Sequence, residues 1–382
     1  MNFDLYEEQQ LLKDSAWRYG ADHGDFTAWR ARADRGEAYD AASWRQIADL
    51  GWLALNVPED DGGLGAGPVE TMVVAEAMGR YLMLEPFVST GVIAPVLLAA
   101  ATESVRADLS SGLIEGKVVI SLADAEPGGR FDLNRIATTA EAVDGGFRLT
   151  GEKSHALDGG SADWFIVPAR TAGADDSADG VSLFLVPADA AGLTVMRSRA
   201  MDNRHNASLK LDGVLAPVET LIGGLGKGFP LLRDAVDRGV VARLAEAVGA
   251  MDAVREMTLE YLKTRKQFGQ TLGAFQALQH RAVDMAIACE EARSMMYLAT
   301  IALSGAPAER RKVISAAKAR VGQTSLYVGR QAVQLHGGVG FTEELAVAHY
   351  LKRLIMIDMA FGNADHHRTE LATSLKPGAI AA

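Results

Sequence analysis

The chain has 382 residues, 48% of them hydrophobic, and a formal net charge of −11 at pH 7. That length holds two or three domains and a large core, and the acidic balance excludes nucleic acid as a principal partner while leaving room for a local basic pocket. No apolar run approaches the roughly 20 residues that span a bilayer, the start "MNFDLYEEQQLLKD" lacks a secretory pattern, and a single cysteine, Cys289, permits no internal disulfide, so a soluble cytoplasmic protein is expected.

In chain order, "YEEQQLLKDSAWRYGA", "ASWRQIADLGWLAL" and "PVETMVVAEAMGRYLM" carry helical spacing, interrupted by the glycine turn "PEDDGGLGAGP". From about residue 117, short alternating stretches such as "GFRLTGEK", "DWFIVPAR" and "VSLFLVPA", punctuated by Asp144-Gly145-Gly146 and "AGADDSADG", read as strands. Beyond 228 four long helical runs are predicted, 229–264, 274–303, 308–335 and 343–372, joined by "RKQFGQTLG", "SGAPAE" and "LHGGVGFTEE". The expected architecture is α+β and multidomain: an N-terminal helical domain over 1–113, a middle β-barrel-like domain over 114–226, and a C-terminal antiparallel four-helix bundle over 227–382.

Several familiar chemistries fail on spacing. "DGGLGAGP" is not GxGxxG, and in "IGGLGKGF" the lysine precedes glycine where a P-loop needs Ser or Thr. There is no GxSxG elbow and no HExxH. His366 and His367 are adjacent, so on a helix they point about 100° apart, and no metal site is expected.

The run "VVARLAEAVGAMDAV", residues 240–254, holds one carboxylate, Glu246. On a helical period Val241, Leu244, Val248 and Met251 share one face, while Gly239, Ala242, Glu246, Gly249 and Ala253 share a nearly opposite one made of very small residues. Such a stripe suits the close approach of another helix or of a ligand. Glu246 is either half of a solvated pair with Arg243 or an acid with a chemical task.

Two stretches bear on that choice, "YLKTRKQFGQTLGAFQALQHR" and "GRQAVQLHGGVGFTEE". Arg265-x-x-Phe268-Gly269, then Gln276, then Gln334-x-x-Gly337-Gly338-x-Gly340-Phe341, together with the domain order, resemble the acyl-CoA dehydrogenase superfamily over essentially the whole chain. The resemblance implies FAD bound across a subunit boundary, with Arg265 at the pyrophosphate, Gln334, Gly337 and Gly338 on the adenosine side, and Gln267, Phe268, Gln276 and Asn363 also among the cofactor-binding residues. It implies oxidation of an acyl-CoA thioester to the trans-2-enoyl-CoA, a β-oxidation step. A carboxylate removes the α proton, hydride passes to the flavin, and electrons leave to an electron-transferring flavoprotein. An oxidase or monooxygenase chemistry on the same scaffold is a further alternative.

The sequence departs from the familiar members. Where one group carries its catalytic glutamate, alignment puts Phe361 of Ala360-Phe361-Gly362-Asn363; where another carries it, Gly239. Glu246 lies about two turns, or 10 Å, along the helix from Gly239 and is the expected proton acceptor, its pKa raised by burial. The hydroxyl-bearing flavin segments are replaced by Ala125-Glu126-Pro127-Gly128 with Phe131, and by His155-Ala156-Leu157. Loss of those hydroxyls, at about 1 kcal/mol each, weakens flavin binding through the β domain. The chain most resembles a bacterial group like the small subunit of pimeloyl-CoA dehydrogenase, which forms heterotetramers. Two roles stay open: a catalytic subunit of a homo- or heterotetramer using Glu246, or a non-catalytic subunit of a heterotetramer that completes the FAD site of its paralogue.

Overall fold

The computed structural model describes residues 4–375. The helices before the sheet are α1 (Glu7–His23), α2 (Phe26–Arg35), α3 (Ala41–Asp49), α4 (Pro68–Arg80), α5 (Ala94–Leu98) and α6 (Glu103–Ile114), with a wholly buried π-helical turn at Phe87–Ile93. Asp40 starts α3 by accepting from the amides of Ala42 and Ser43 at 2.8 and 3.1 Å. The "PEDDGGLGAGP" segment is a tight turn as expected. A Cβ on Gly63 would lie 2.1 Å from the carbonyl oxygen of Val57, so only glycine fits there.

The strands follow: β1 (Ile120–Leu122), β2 (Thr139–Val143), β3 (Gly146–Ala156), β4 (Trp164–Arg170), β5 (Val181–Pro187), β6 (Leu193–Arg199), β7 (His205–Pro217) and β8 (Leu221–Ile222). They form one sheet in the order β6-β7-β3-β2-β4-β5-β8, with β1 parallel to β4. β4 and β5 are almost wholly buried, which explains their unbroken apolar sequence, and β6 is the exposed edge. β6 and β8 end the sheet and do not pair among the described residues, so it is open where a barrel-like closure was expected.

The remaining helices are α7 (Phe229–Thr264), α8 (Gln276–Ala302), α9 (Pro307–His336), α10 (Ala346–Met359) and α11 (Ala364–Ser374). The first three match the predicted runs closely, but the fourth run is two helices. At Phe361 and Gly362 φ is +57° and +103°, and no right-handed helix of L residues continues through such backbone. Asn363 then caps α11 by accepting from the His366 amide at 3.0 Å. α9 packs against α8, α10 and α11, and α4 joins α1 and α8, so the C-terminal region is not a self-contained set of four helices. The segment "RKQFGQTLG" contains strands β9 (Lys266–Gln267) and β10 (Gln270–Thr271), joined by Phe268 and Gly269, both at positive φ.

By contact density the chain divides into two units. One takes α1, Pro68–Met83 and the chain from Val240 onward; the other takes Arg32–Gly67 and Leu84–Gly239. Within the first, the small-residue stripe of α7 is the seam with α4. A Cβ on Gly79 would sit 1.8 Å from the carbonyl oxygen of Glu246, and one on Gly249 would sit 1.9 Å from that of Glu76. A helix, then, approaches this stripe. Gly249→Ala is expected to destabilise the protein by about 1–3 kcal/mol, because the obstacle is rigid backbone. Urea unfolding checks this, and an unchanged midpoint would refute the close crossing.

Candidate active site

Glu246 sits one turn from this crossing. Val241, Leu244, Val248 and Met251 are buried, and so are Ala242, Gly249 and Ala253, so this part of α7 has no solvated face. Glu246 is 1% exposed. Its Oε2 accepts from Arg243 Nη1, and its Oε1 accepts from Arg353 Nη1 of α10 at 2.7 Å. Arg353 Nη1 also donates to the carbonyl of Met83 at 3.0 Å. The pair with Arg243 anticipated from sequence exists, but it is buried and has a second guanidinium, contrary to a solvated surface pair. Both carboxylate oxygens are thus engaged by guanidinium donors.

The other two positions considered for a base hold Gly239, in the second unit, and Phe361. The turn carrying Phe361 is held from several sides. Lys318 of α9, fully buried, donates from Nζ to the carbonyls of Ile357 and Asp358 at 2.6 and 2.8 Å, capping α10. Asp358 Oδ1 accepts from the Ala364 amide at 3.1 Å. His367 Nε2 lies 3.0 Å from the Phe361 carbonyl, which can only accept, so Nε2 carries a hydrogen; Nδ1 lies 3.2 Å from Ser315 Oγ. Left-handed backbone costs a bulky residue about 1–2 kcal/mol, and these contacts offset it.

Burial shifts the charges here. It pushes the Lys318 ammonium down to about 7, with Asp358 opposing and Arg243 assisting. It pushes the His367 imidazole down to about 3, assisted by Lys318. Glu370 resists the upward push of burial because His366 and Arg311 hold its carboxyl well below the usual range. Among the described residues no group of three or more histidines, cysteines and carboxylates is placed to hold a metal ion.

The residues expected to meet FAD form a different kind of surface. Arg265, Gln267, Phe268, Gln276, Gln334, Gly337 and Gly338 are all exposed. Phe268 is 88% exposed at the tip of the β9–β10 hairpin, and Phe341, just beyond the glycines, is 75% exposed. The Arg265 side chain has no hydrogen bond or ion pair among the described residues, and a Cβ on Gly337 or Gly338 would meet nothing within 4 Å. The outward surface thus carries a guanidinium, three amides and open glycine backbone, groups able to donate hydrogen bonds to phosphate and base. Asn363 differs: its Oδ1 is committed to the His366 amide.

In the sheet unit, the residues at the usual flavin-contact positions are drawn together. Ala125 pairs with His155 in an isolated antiparallel bridge, and Ser121 Oγ donates to the Leu157 carbonyl at 2.7 Å. Glu126 anchors this strand end by accepting from Lys153 Nζ at 2.6 Å and from the Ala137 amide at 2.6 Å; Lys153 also donates to the Pro168 carbonyl at 2.7 Å. Asp124 is pushed up by burial, with His155 opposing. Ala125, Phe131 and Leu157 carry no side-chain hydroxyl.

Sequence reasoning missed Arg353, Lys318, His367 and the Lys153–Glu126 pair. Arg353 had a signal: it lies between Tyr350 and Ile357 at helical spacing, a cation on an otherwise apolar face.

Glu246→Gln leaves Arg243 and Arg353 facing each other without their counter-charge and is expected to cost about 3–5 kcal/mol in urea unfolding; a change under about 0.5 kcal/mol would place the pairing at no consequence. Lys318 gives a pH signature. Between about 7, where folded Lys318 loses its proton, and about 10.4, where the unfolded chain does, the unfolded state binds more protons. Stability contributed through Lys318 therefore rises with pH across that window and is lowest below it. Lys318→Met should flatten this slope; parallel stability–pH curves for variant and wild type would refute it.

Comparison with known proteins agrees with this geometry. Residues 6–117 match the N-terminal domain of acyl-CoA dehydrogenases, 121–214 the middle domain and 226–376 the C-terminal domain. The probable acyl-CoA dehydrogenase YngJ of Bacillus subtilis is 28% identical, with 98% of this chain and 100% of the relative covered. A variant of the Tcur3481-Tcur3483 steroid ACAD superimposes with a TM-score of 0.87 at 30% identity, covering 98% of this chain and 99% of that one. The FAD complex of PigA superimposes with a TM-score of 0.90 at 26% identity over the full length of both chains. The chain belongs to the acyl-CoA dehydrogenase superfamily of FAD-dependent flavoprotein oxidoreductases.

Proposed function

We propose that the chain is one subunit of a heteromeric acyl-CoA dehydrogenase, completing the FAD site of a paralogous subunit that supplies the proton-abstracting carboxylate. The observation that carries this reading is Glu246, with both oxygens engaged by Arg243 and Arg353. Phe361 and Gly239 hold no carboxylate at the other two positions, and the carboxylate at the third is paired with two guanidinium groups. The chain's outward set of Arg265, Gln267, Gln276, Gln334 and the Gly337-Gly338 backbone supports a role toward a cofactor seated in a neighbour, with the Phe268 ring as cover.

Bound FAD supplies the hydride acceptor for the α,β-dehydrogenation of an acyl-CoA thioester to the trans-2-enoyl-CoA. Arg265 then presents a planar fork to phosphate oxygens, and the glycines admit backbone amides close to the cofactor. Electrons leave to an electron-transferring flavoprotein. A bulky acyl group is favoured, since a steroid-acting relative shares 30% identity. No helix among the described residues is long and apolar enough to cross a membrane.

Co-expression with a paralogue from the same genome is the direct test. A yellow complex bleached by acyl-CoA, alongside a separately purified chain that acyl-CoA does not bleach even with added FAD, is the expected result. Bleaching by this chain alone would return proton abstraction to it. In the complex, Arg265→Ala should raise the FAD dissociation constant about ten- to a hundredfold at unchanged thermal stability, the worth of a charge-assisted phosphate contact. An unchanged constant would remove Arg265 from the cofactor site.

A further inference from the structure

Little holds α2 in place. Of its ten residues only Trp29 and Ala33 are buried, and a helix with so few buried contacts opens locally at low cost. Its first half is seated on α10, within the first unit. Trp29 is 4% exposed, and its Nε1 donates to the Leu82 carbonyl at 2.9 Å. Against the rings of Trp29 and Phe26 lies His349 of α10, at centroid separations of 4.8 and 5.2 Å. His349 is as deeply buried as Trp29.

The two nitrogens of His349 are unequal. Nε2 lies 3.1 Å from Glu343 Oε2 and 3.4 Å from the Glu343 carbonyl, both acceptors, so Nε2 carries the hydrogen. Nδ1 is then a bare lone pair, buried and without a hydrogen-bond partner among the described residues. A second proton can go only to Nδ1, where it would leave a buried N–H unmatched beside two aromatic rings. Burial weighs most against that cation. Glu343 favours it but is shared with Lys352 Nζ at 2.5 Å, and Lys352 of α10 and Arg30 of α2 oppose it, so His349 titrates below the ordinary histidine range.

We propose that His349 is the pin of an acid-operated latch: neutral, it seats the first half of α2 on α10, and on taking up a proton it releases that half. The released imidazole, in water, titrates near about 6.5. It binds the proton more readily than the seated ring, so seating is fully present above that pH and is lost as pH falls below it. The latch does not depend on which subunit of a complex abstracts the substrate proton.

Hydrogen exchange of the full-length chain, read by mass spectrometry, tests this. Between about pH 7.5 and 5.5 the protection factors of α2 amides should fall by more than about twofold, with about tenfold the limit that one proton sets over the interval. Those of α9 should hold. His349→Phe keeps an aromatic ring in the seat but cannot titrate, so in this variant the fall at α2 should shrink below about twofold. Should it fail to fold, His349→Gln, whose amide can still donate to Glu343, makes the same test. Wild-type protection at α2 that stays constant across the interval would overturn the latch. So would a fall that persists in the variant, or one shared equally by α9, which is the mark of global unfolding.

Discussion

A charge inside a protein has to be matched where it lies, because water is not available to match it. Arg243, Glu246 and Arg353 meet this constraint together, and much of the first unit is organised around them. Glu246 comes from α7, Arg353 from α10, and the carbonyl that shares Arg353 from Met83, just beyond α4. Three segments distant in sequence are thereby tied at one buried point. The same α7 turn lends its backbone carbonyl to the crossing with Gly79. Polar pairing and helix packing thus fix the same register, and neither can change without the other.

A second buried cation extends the pattern. Lys318 lies close enough to Arg243 for their charges to oppose each other, and it is accommodated by the carbonyl end of α10 and by Asp358. The helix end that would otherwise present bare carbonyls to the core is satisfied by the ammonium, while the cost of burying that ammonium is eased by the carbonyls. The sheet unit solves its own version of the problem with Lys153 between Glu126 and the Pro168 carbonyl. In each case a lysine or arginine stem passes through apolar packing to reach one set of oxygens.

The helices and strands were legible because periodicity reports burial, and burial dominates local structure. The predicted runs for α7, α8 and α9 lie within a few residues of the structure, and β4 and β5 fall in stretches read as strands. The break at Phe361 was not legible: the residue is an ordinary helix occupant, and its left-handed backbone is imposed by His367 and Lys318, which are distant or unremarkable in sequence. The small stripe of α7 was read correctly as a place of close approach, but sequence did not say that the visitor was α4. The surroundings of Glu246 were not legible for a related reason. Its partner Arg353 is more than a hundred positions away, and a local reading saw only Arg243, three residues earlier. The outward set around Arg265 and Gly337 stands out in sequence because its spacing is a motif, whereas the buried ion pairs follow no such spacing.

The reciprocal glycines at the α4–α7 crossing also bear on motion. Gly79 rests on the Glu246 carbonyl and Gly249 on the Glu76 carbonyl, so each helix carries one tooth and one notch, set one turn apart. Sliding either helix by a single residue, about 1.5 Å, would bring a side-chain-bearing position against a carbonyl that has room only for hydrogen. The two helices can separate or move together, but they cannot shear. Breathing of this region is then confined to steps that open the whole seam, which expose the buried arginines to solvent at the same moment. Small sliding adjustments of the kind that relax many helical proteins are closed to it.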